Sequence, residues 1–179
     1  MQSQWSFGGN YTGENMQASN VIELYGALDS RGIEIWIDGG WAVDALLGAQ
    51  TRPHGDLDIA IRGHDVPALC SYLNSRGFRE VEGSETKSWN FVMVDDAGRK
   101  VDVHAFVSDE HGHVVDGIEY PDGSLTGSGS IGGRYVRCIA PEHLLAFRAR
   151  YQPQDKDRHD VAKICDKFGL ENPRTTQLS

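Results

Sequence analysis

Two kinds of apolar spacing divide the chain into short elements. Apolar residues recur at helical spacing from about Gln17 until Gly32, where a helix is expected to end. Over 56–61 and 100–107 they alternate with polar residues instead, which is the period of a half-buried strand. Weaker patterns predict further strands at 33–37, 78–81, 89–94 and 135–139, and further helices at 41–47, 65–76, 141–151 and 157–168.

The order of these elements predicts an α+β fold, in which a sheet domain is followed by a small helical part. We assign residues 16–140 to the sheet domain and 141–179 to a C-terminal helical part packed on it. Residues 1–15 are polar and show little periodicity, so they are expected to form a flexible tail. The stretch 108–133 is rich in Gly, Ser and Asp and is compatible with either loops or short strands.

The overall charge of the chain narrows the class of partner. Its 179 residues include 17 basic and 26 acidic side chains, for a formal net charge of −9. A surface this acidic argues against a long nucleic acid as the main partner, because phosphates need a basic face. It suits a cationic substrate better, although acidity also serves solubility alone.

Cysteine usage and hydropathy bear on location. The three cysteines are scattered without a CxxC pair, which indicates free thiols in a reducing compartment. No stretch approaches the ~20 apolar residues of a membrane span, and the first residues lack the apolar run of a signal peptide. We therefore expect a cytoplasmic protein with no membrane partner.

The first candidate for chemistry is the pair Asp56 and Asp58, separated by Leu57. Residues two apart on a strand point to the same face, so both carboxylates can reach one or two cations. Two anions held so close repel each other unless a metal compensates them. Mg²⁺ suits such a pair, because it takes one or two protein carboxylates and completes its shell with phosphates and water. Two ordinary acids at a solvent-facing strand edge are the simpler alternative for so short a pattern.

Asp102 supports the metal hypothesis, since it lies on the polar face of the strand predicted at 100–107. If that strand neighbours the strand of Asp56 and Asp58, Asp102 reaches the same site. A third carboxylate there can bind metal, or act as the catalytic base that takes the proton of an attacking hydroxyl. His104 shares the polar face and could orient a substrate, but we favour a structural or solvent-facing role for it.

Gly39 and Gly40 form a tight turn between a predicted strand and a predicted helix. Two glycines at such a place let backbone N–H groups approach phosphates at a helix N-terminus. We expect Gly40 in particular to need a positive φ and an open approach to the triphosphate. A plain turn is the alternative, but the unit is followed closely by the strand with the paired aspartates. Arg52 and His54, in the loop before that strand, are candidate contacts of a nucleoside triphosphate, and solvated loop residues otherwise.

Together these motifs resemble those of the antibiotic nucleotidyltransferases of the polymerase-beta-like superfamily. The chain is similar first to lincosamide nucleotidyltransferases and next to aminoglycoside 2''-nucleotidyltransferases, over roughly residues 21–168. The resemblance is carried by the segments DGGWAVD (38–44), RPHGDLDI (52–59), VDVH (101–104), RCI (137–139) and DRHD (157–160). As a combination they are specific to the fold and the reaction, but not to one drug.

The resemblance implies a mixed, mostly antiparallel sheet flanked by helices. It also implies that two Mg²⁺ ions are held around Asp56 and Asp58, with Asp102 as the third carboxylate and general base. The implied reaction is Mg²⁺-dependent transfer of a nucleoside monophosphate, with ATP as the expected donor of AMP, to a hydroxyl of a small antibiotic. Pyrophosphate is released, and a lincosamide is the favoured acceptor.

Several alternatives stay open at this stage. An aminoglycoside acceptor needs an acidic cleft for its ammonium groups, although a solvated loop is the simpler account of the acids that could supply one. These acids are Asp109, Glu110, Asp116, Glu119 and Asp122. A nucleotidyltransferase-fold regulator or antitoxin acting on a protein is disfavoured by the intact motifs, and a tRNA-type enzyme by the short, acidic chain. The nucleobase, the modified hydroxyl and a homo-oligomeric state are left open by the sequence.

Overall fold

The computed structural model describes residues 15–81 and 89–174. Its helices are α1 (Ala18–Asp29), α2 (Gly39–Leu47), α3 (Val66–Ser75), α4 (Pro141–Ala149) and α5 (Asp155–Phe168). Its strands are β1 (Ile35–Ile37), β2 (Asp56–Arg62), β3 (Arg79–Glu80), β4 (Asn90–Val94), β5 (Lys100–Ser108), β6 (Val114–Gly117), β7 (Gly127–Ile131) and β8 (Arg134–Cys138). The elements predicted from the hydrophobic pattern are present, whereas the tail expected at 1–15 lies almost wholly outside the described residues.

Within the described residues, eight strands form one sheet. Their order is β3-β4-β5-β2-β1-β8-β7, and β6 pairs with β5 off this path. The β2–β5 and β1–β8 pairs are parallel, and the other pairs are antiparallel. The sheet is therefore mixed and mostly antiparallel, and the predicted α+β fold is confirmed. None of the described helices combines the length and the apolar character needed to cross a lipid bilayer.

The Gly-rich stretch 108–133 forms short strands as well as loops. It contributes β6 and β7, with a short 3₁₀ turn at Ser124–Thr126 directly before β7. Glycine is needed in β7 because α2 packs closely on it. A Cβ atom at Gly129 would lie 2.1 Å from the carbonyl oxygen of Ala45 in α2. The weak apolar pattern of this stretch thus reflects a close approach between helix and sheet.

The two C-terminal helices contact each other and the loop that precedes β2. Arg148 of α4 is buried between Asp157 and Asp160 of α5, with N–O distances of 2.7 and 3.0 Å. Arg52, from the loop before β2, donates to both carboxylate oxygens of Asp160 at 2.8 and 2.6 Å. Asp160 is completely buried, so its charge requires the two arginines as partners. Ion pairs therefore link the C-terminal helices to the loop that precedes β2.

Candidate active site

The parallel pairing of β2 with β5 brings predicted carboxylates together. Asp58 lies directly opposite Asp102 in the ladder. Leu57 and Ile59, its neighbours on β2, are completely buried, so strand alternation turns Asp58 toward the opposite face, where it is half-buried. Asp56 shares that face but lies at the exposed start of the strand. The structure therefore joins Asp58 to Asp102 and leaves Asp56 at the rim.

His104 of β5 belongs to the same cluster. Asp58, Asp102 and His104 each offer a ligand atom, and these atoms lie within 4.8 Å of one another. The Nε2 atom of His104 is 3.4 Å from Oδ1 of Asp102, and its Nδ1 atom is 3.7 Å from Oδ2 of Asp38. Only 20% of the His104 side chain is exposed. The ring is thus part of the carboxylate cluster and not a solvent-facing side chain.

Asp38 and Tyr120 join the site without having been predicted as site residues. Asp38 caps the N-terminus of α2, because its carboxylate accepts the N–H of Gly39 at 2.7 Å. The hydroxyl of Tyr120 donates to the same carboxylate at 3.0 Å. Asp38 could have been found as the acid directly before the glycine pair. Tyr120 carries no comparable signal, since it lies in the Gly- and Asp-rich stretch and reaches the site only through the fold.

Burial and neighbouring charges set the protonation of the cluster. Burial is the largest of the causes that raise the pKa of Asp58 to about 8. The negative charge of Asp56 comes next, those of Asp102 and Asp38 add to it, and His104 acts in the opposite direction. Burial acts against the imidazolium of His104, yet its contacts with Asp102 and Asp38 raise its pKa well above the ordinary value. Several carboxylates thus surround one imidazole, which is an arrangement that a divalent cation relieves.

Two further observations fit a divalent cation at this place. The Oδ1 atom of Asp102 is buried and has no hydrogen-bond partner among the described residues. The carboxylate of Asp58 lies directly against Gly39, where a Cβ atom would be only 2.0 Å from Oδ2. Clustered carboxylate oxygens are the ligands that Mg²⁺ prefers.

Gly39 and Gly40 begin α2, but for different reasons. Gly39 has a φ of +60° and makes room for Asp58. Gly40 is absent from the glycines with positive φ, so the expectation that it needs this conformation is wrong. A Cβ atom at Gly40 would instead lie 2.4 Å from Nδ1 of His54 and 2.7 Å from a guanidinium nitrogen of Arg52. The N-terminus of α2 thus begins beside Asp58, where the helix dipole favours a phosphate.

Arg52 and His54 pack against this turn next to Gly40. Arg52 forms the two-point ion pair with Asp160, and only 19% of its side chain is exposed. His54 is 3% exposed, its Nε2 atom contacts a carboxylate oxygen of Asp44, and its ring centroid lies 4.6 Å from that of Trp41. The His54 ring lies in the interior and Arg52 is paired with Asp160, so a direct contact of either side chain with a triphosphate stays a prediction.

The family of the chain follows from a match over most of its length. Residues 20–164 match the family described as aminoglycoside-2''-adenylyltransferase. The chain belongs to this family. It is therefore an enzyme, an antibiotic nucleotidyltransferase with a nucleotide co-substrate, as its sequence motifs implied.

Individual members of the aminoglycoside-2''-adenylyltransferase family and of related groups are similar over most of the chain. A 2''-aminoglycoside nucleotidyltransferase of Escherichia coli is 30% identical over 137 residues, which cover 74% of this chain and 72% of the relative. A lincosamide resistance protein of Staphylococcus haemolyticus is 27% identical over 178 residues, which cover 83% and 98%. The crystal structure of ANT(2'')-Ia in complex with adenylyl-2''-tobramycin is 27% identical, with a TM-score of 0.70 over 86% of this chain and 90% of that one.

Replacing Asp58 with Asn is expected to abolish transfer and to remove a pH dependence of stability. The folded-state pKa of Asp58, about 8, lies above that of the unfolded chain, so the folded metal-free protein holds a proton that the unfolded chain releases. The contribution of Asp58 to stability therefore falls as pH rises from about 4 to about 8. Thermal unfolding in EDTA should show a smaller loss of Tm between acidic and mildly basic pH for Asp58→Asn than for the parent.

The exposed carboxylate of Asp155 provides the control for this comparison. Asp155→Asn should keep the pH dependence of the parent, because its carboxylate is exposed to water. A markedly lower Tm of Asp58→Asn at every pH would instead mean that Asp58 is a structural residue.

Gly39 and Gly48 flank α2 and provide a matched pair, with φ values of +60° and +75°. A Cβ atom at Gly48 meets nothing within 4 Å, whereas one at Gly39 overlaps the carboxylate of Asp58. We expect Gly48→Ala to cost ~1 kcal/mol for its backbone alone and to keep full transfer. Gly39→Ala should lower the transfer rate by about 10²-fold, because it displaces a carboxylate of the site. Urea unfolding and steady-state kinetics check both variants, and equal rates would refute the close contact.

Proposed function

We propose that this protein transfers AMP from ATP to a hydroxyl group of a small antibiotic, with Mg²⁺ as the metal and pyrophosphate as the second product. The observation that carries the proposal is the juxtaposition of Asp58 and Asp102 on parallel strands beside the N-terminus of α2. That arrangement offers carboxylates for a cation and a positive helix end for phosphate at one place. Family membership supports it independently.

The carboxylates have distinct roles in this proposal. Asp56 and Asp58 would hold the metal that accompanies the nucleotide, and Asp102 would contribute a third carboxylate. When bound there, Mg²⁺ would supply positive charge that lowers the pKa of the acceptor hydroxyl and stabilises the leaving pyrophosphate. The N-terminal turn of α2 at Gly39 and Gly40 receives the triphosphate, because its dipole favours negative charge.

Asp102 acts as the general base. Its carboxylate takes the proton of the acceptor hydroxyl while the hydroxyl oxygen attacks the α-phosphorus of ATP. The bond between the α-phosphorus and the bridging oxygen to the β-phosphate breaks, and that oxygen leaves with pyrophosphate. The buried Oδ1 atom of Asp102, which has no hydrogen-bond partner among the described residues, suits this task.

In this proposal Arg52 and His54 act indirectly, by supporting the turn that binds the triphosphate. Both fill the space behind Gly40, so they hold the turn that receives the triphosphate. The ion pair with Asp160 fixes Arg52, and the contact with Asp44 fixes His54. A rigid turn is what backbone N–H groups need in order to bind phosphate without reorganisation.

The acceptor belongs to one of two antibiotic classes in this proposal. A lincosamide is supported by similarity to the Staphylococcus haemolyticus protein along nearly its whole length. An aminoglycoside is supported by the family match and by Glu119, an exposed acid next in sequence to Tyr120, whose hydroxyl donates to Asp38. An exposed carboxylate near the cluster in sequence would favour a substrate with several ammonium groups.

One experiment tests the reaction and identifies both substrates. The purified protein is incubated with Mg²⁺, each nucleoside triphosphate in turn, and a panel of lincosamides and aminoglycosides. Mass spectrometry should detect one antibiotic that gains a nucleoside monophosphate, with ATP as the donor. Asp58→Asn serves as the inactive control, and pyrophosphate release without a modified antibiotic would contradict the proposed acceptor.

Replacing Asp102 with Asn separates its role as base from a role as metal ligand. If Asp102 mainly takes the proton, the chemical step should slow by ~10²–10⁴-fold. The affinity for Mg²⁺-ATP should then stay within a few-fold of the parent, since Asp56 and Asp58 still hold the metal. Single-turnover rates and calorimetric binding constants, measured on one preparation, check this. A parallel loss of nucleotide affinity would make Asp102 a ligand first, and an unchanged rate would remove it from the mechanism.

A further inference from the structure

The hydroxyl of Tyr120 reaches the carboxylate cluster from a segment that carries none of the sequence motifs. Tyr120 lies between β6 and the 3₁₀ turn at Ser124–Thr126, and only 3% of the residue is exposed. Its hydroxyl donates to Oδ2 of Asp38 at 3.0 Å. Burial is the largest cause that raises the pKa of Tyr120 well above its ordinary value, and the charge of Asp38 adds to it, so the hydroxyl keeps its proton and acts as a donor. The reaction proposed above assigns no role to this bond.

We propose that Tyr120 is a positioning residue for nucleotidyl transfer, which holds Oδ2 of Asp38 and, through it, the ring of His104 beside Asp102. The inference rests on the function proposed above and adds a residue that the same reaction needs. Tyr120 acts through Asp38 and His104 and does not itself react.

The two carboxylate oxygens of Asp38 have separate partners. Oδ1 accepts the N–H of Gly39 at 2.7 Å and caps α2. Oδ2 accepts the hydroxyl of Tyr120 and faces Nδ1 of His104 at 3.7 Å. The bond to Gly39 joins neighbouring residues, so it does not depend on Tyr120. Loss of the hydroxyl therefore affects the oxygen that faces His104 and leaves the cap of α2 in place.

The ring of His104 carries this effect to Asp102. Its Nε2 atom is 3.4 Å from Oδ1 of Asp102, a buried oxygen with no hydrogen-bond partner among the described residues. Only 20% of the His104 side chain is exposed, so water has little room to replace Asp38 beside Nδ1. A ring that turns away from Asp38 also changes its position against Asp102. Because a misplacement of about 1 Å can lower a rate by ~10²-fold, a small shift of the base is enough to matter.

Two aromatic contacts hold the ring of Tyr120 in place. It meets Phe106 of β5 at a centroid distance of 5.6 Å and Phe147 of α4 at 5.9 Å, both with an interplanar angle of 71°. Such edge-to-face contacts restrict the orientation of a ring. Since Phe106 lies on the strand that also carries Asp102 and His104, the hydroxyl is fixed relative to both of them.

Backbone contacts fix the chain on either side of the tyrosine. Ile118 donates its N–H to the carbonyl oxygen of Ala105 in β5 at 2.9 Å. Gly117 permits this approach, because it has a φ of +88° and a Cβ atom there would lie 2.5 Å from the same oxygen. After the tyrosine, the carbonyl of Ser124 accepts the N–H of the N-cap residue of α4 at 2.8 Å. The segment is thus attached to β5 on one side and to α4 on the other.

Replacing Tyr120 with Phe tests the proposal, and Tyr25→Phe is the matched control. Tyr25 is also 3% exposed, and its hydroxyl accepts the N–H of Arg137 at 3.0 Å. Both variants lose one buried, hydrogen-bonded hydroxyl, so both should lose a similar ~2–4 °C in Tm. With Mg²⁺-ATP and either tobramycin or lincomycin, kcat of Tyr120→Phe should fall by about 10-fold while KM for ATP stays within about 2-fold. Tyr25→Phe should keep both constants of the parent.

A spectroscopic measurement on the metal-free and nucleotide-free protein needs no antibiotic. The ¹⁵N signals of the His104 ring are assigned from their loss in His104→Gln, or through bonds if that variant does not fold. The Nδ1 signal should shift in Tyr120→Phe and stay unchanged in Tyr25→Phe, because only the first change alters the carboxylate that faces this nitrogen. If Tyr120→Phe does not fold, Phe147→Leu takes its place, since it loosens the ring and keeps the hydroxyl.

A double-mutant cycle tests whether Tyr120 acts through Asp38. Asp38→Asn keeps a carbonyl oxygen for the N–H of Gly39 but removes the negative charge that Tyr120 and His104 share. The double variant Asp38→Asn with Tyr120→Phe should have a kcat within about 2-fold of that of Asp38→Asn alone, because residues that act in one chain are not additive. Independent effects would multiply instead.

The outcomes separate this inference from the proposed function. Equal losses of kcat in Tyr120→Phe and Tyr25→Phe, multiplied effects in the double variant, or an unchanged His104 signal would each overturn the positioning role even if the antibiotic is adenylylated. If neither antibiotic is modified, the acceptor proposed above is contradicted. A His104 shift specific to Tyr120→Phe would then still support the link from Tyr120 to His104, and its absence would refute that link as well.

Discussion

The in-register parallel pairing of β2 with β5 is the constraint on which the active site depends. The pairing buries a continuous aliphatic face, and alternation then forces Asp58 and Asp102 side by side on the other face. The aliphatic side chains are Leu57, Ile59, Ile61, Val101 and Val103. Each contributes ~1.5–3 kcal/mol on burial, so the five side chains together outweigh a repulsion on the order of a few kcal/mol between nearby charges. The core therefore stabilises a charge arrangement that would not form by itself.

Charged contacts next to Gly40 also support the site. Asp160 of α5 binds Arg52, Asp44 of α2 binds His54, and both partners pack against Gly40. These contacts connect the C-terminal helices to the turn at the start of α2. The ion pair between Arg52 and Asp160 therefore crosses the division at residue 140 that we proposed from the sequence.

Much of the fold could be predicted from the sequence, because strict alternation over 56–61 and 100–107 leaves little choice of face. The sequence did not show that these two strands are neighbours in the sheet, although the predicted site required it. Tyr120 reaches the cluster through a contact with Asp38, which lies 82 residues away in the chain, and no local pattern encodes that contact. The sequence placed Arg52 and His54 in the correct loop. The direction of their side chains could not be predicted, because it depends on the residues that pack against the loop.

The ion pair between Arg52 and Asp160 has a consequence for how relatives of this enzyme are recognised. Surveys for resistance genes that score only the strand motifs would count a chain with an altered α5 as intact. Yet an uncompensated Arg52 in such a chain would lie against Gly40, at the turn itself. The acid in α5 therefore affects the turn at Gly40 even in a chain whose strand motifs are intact.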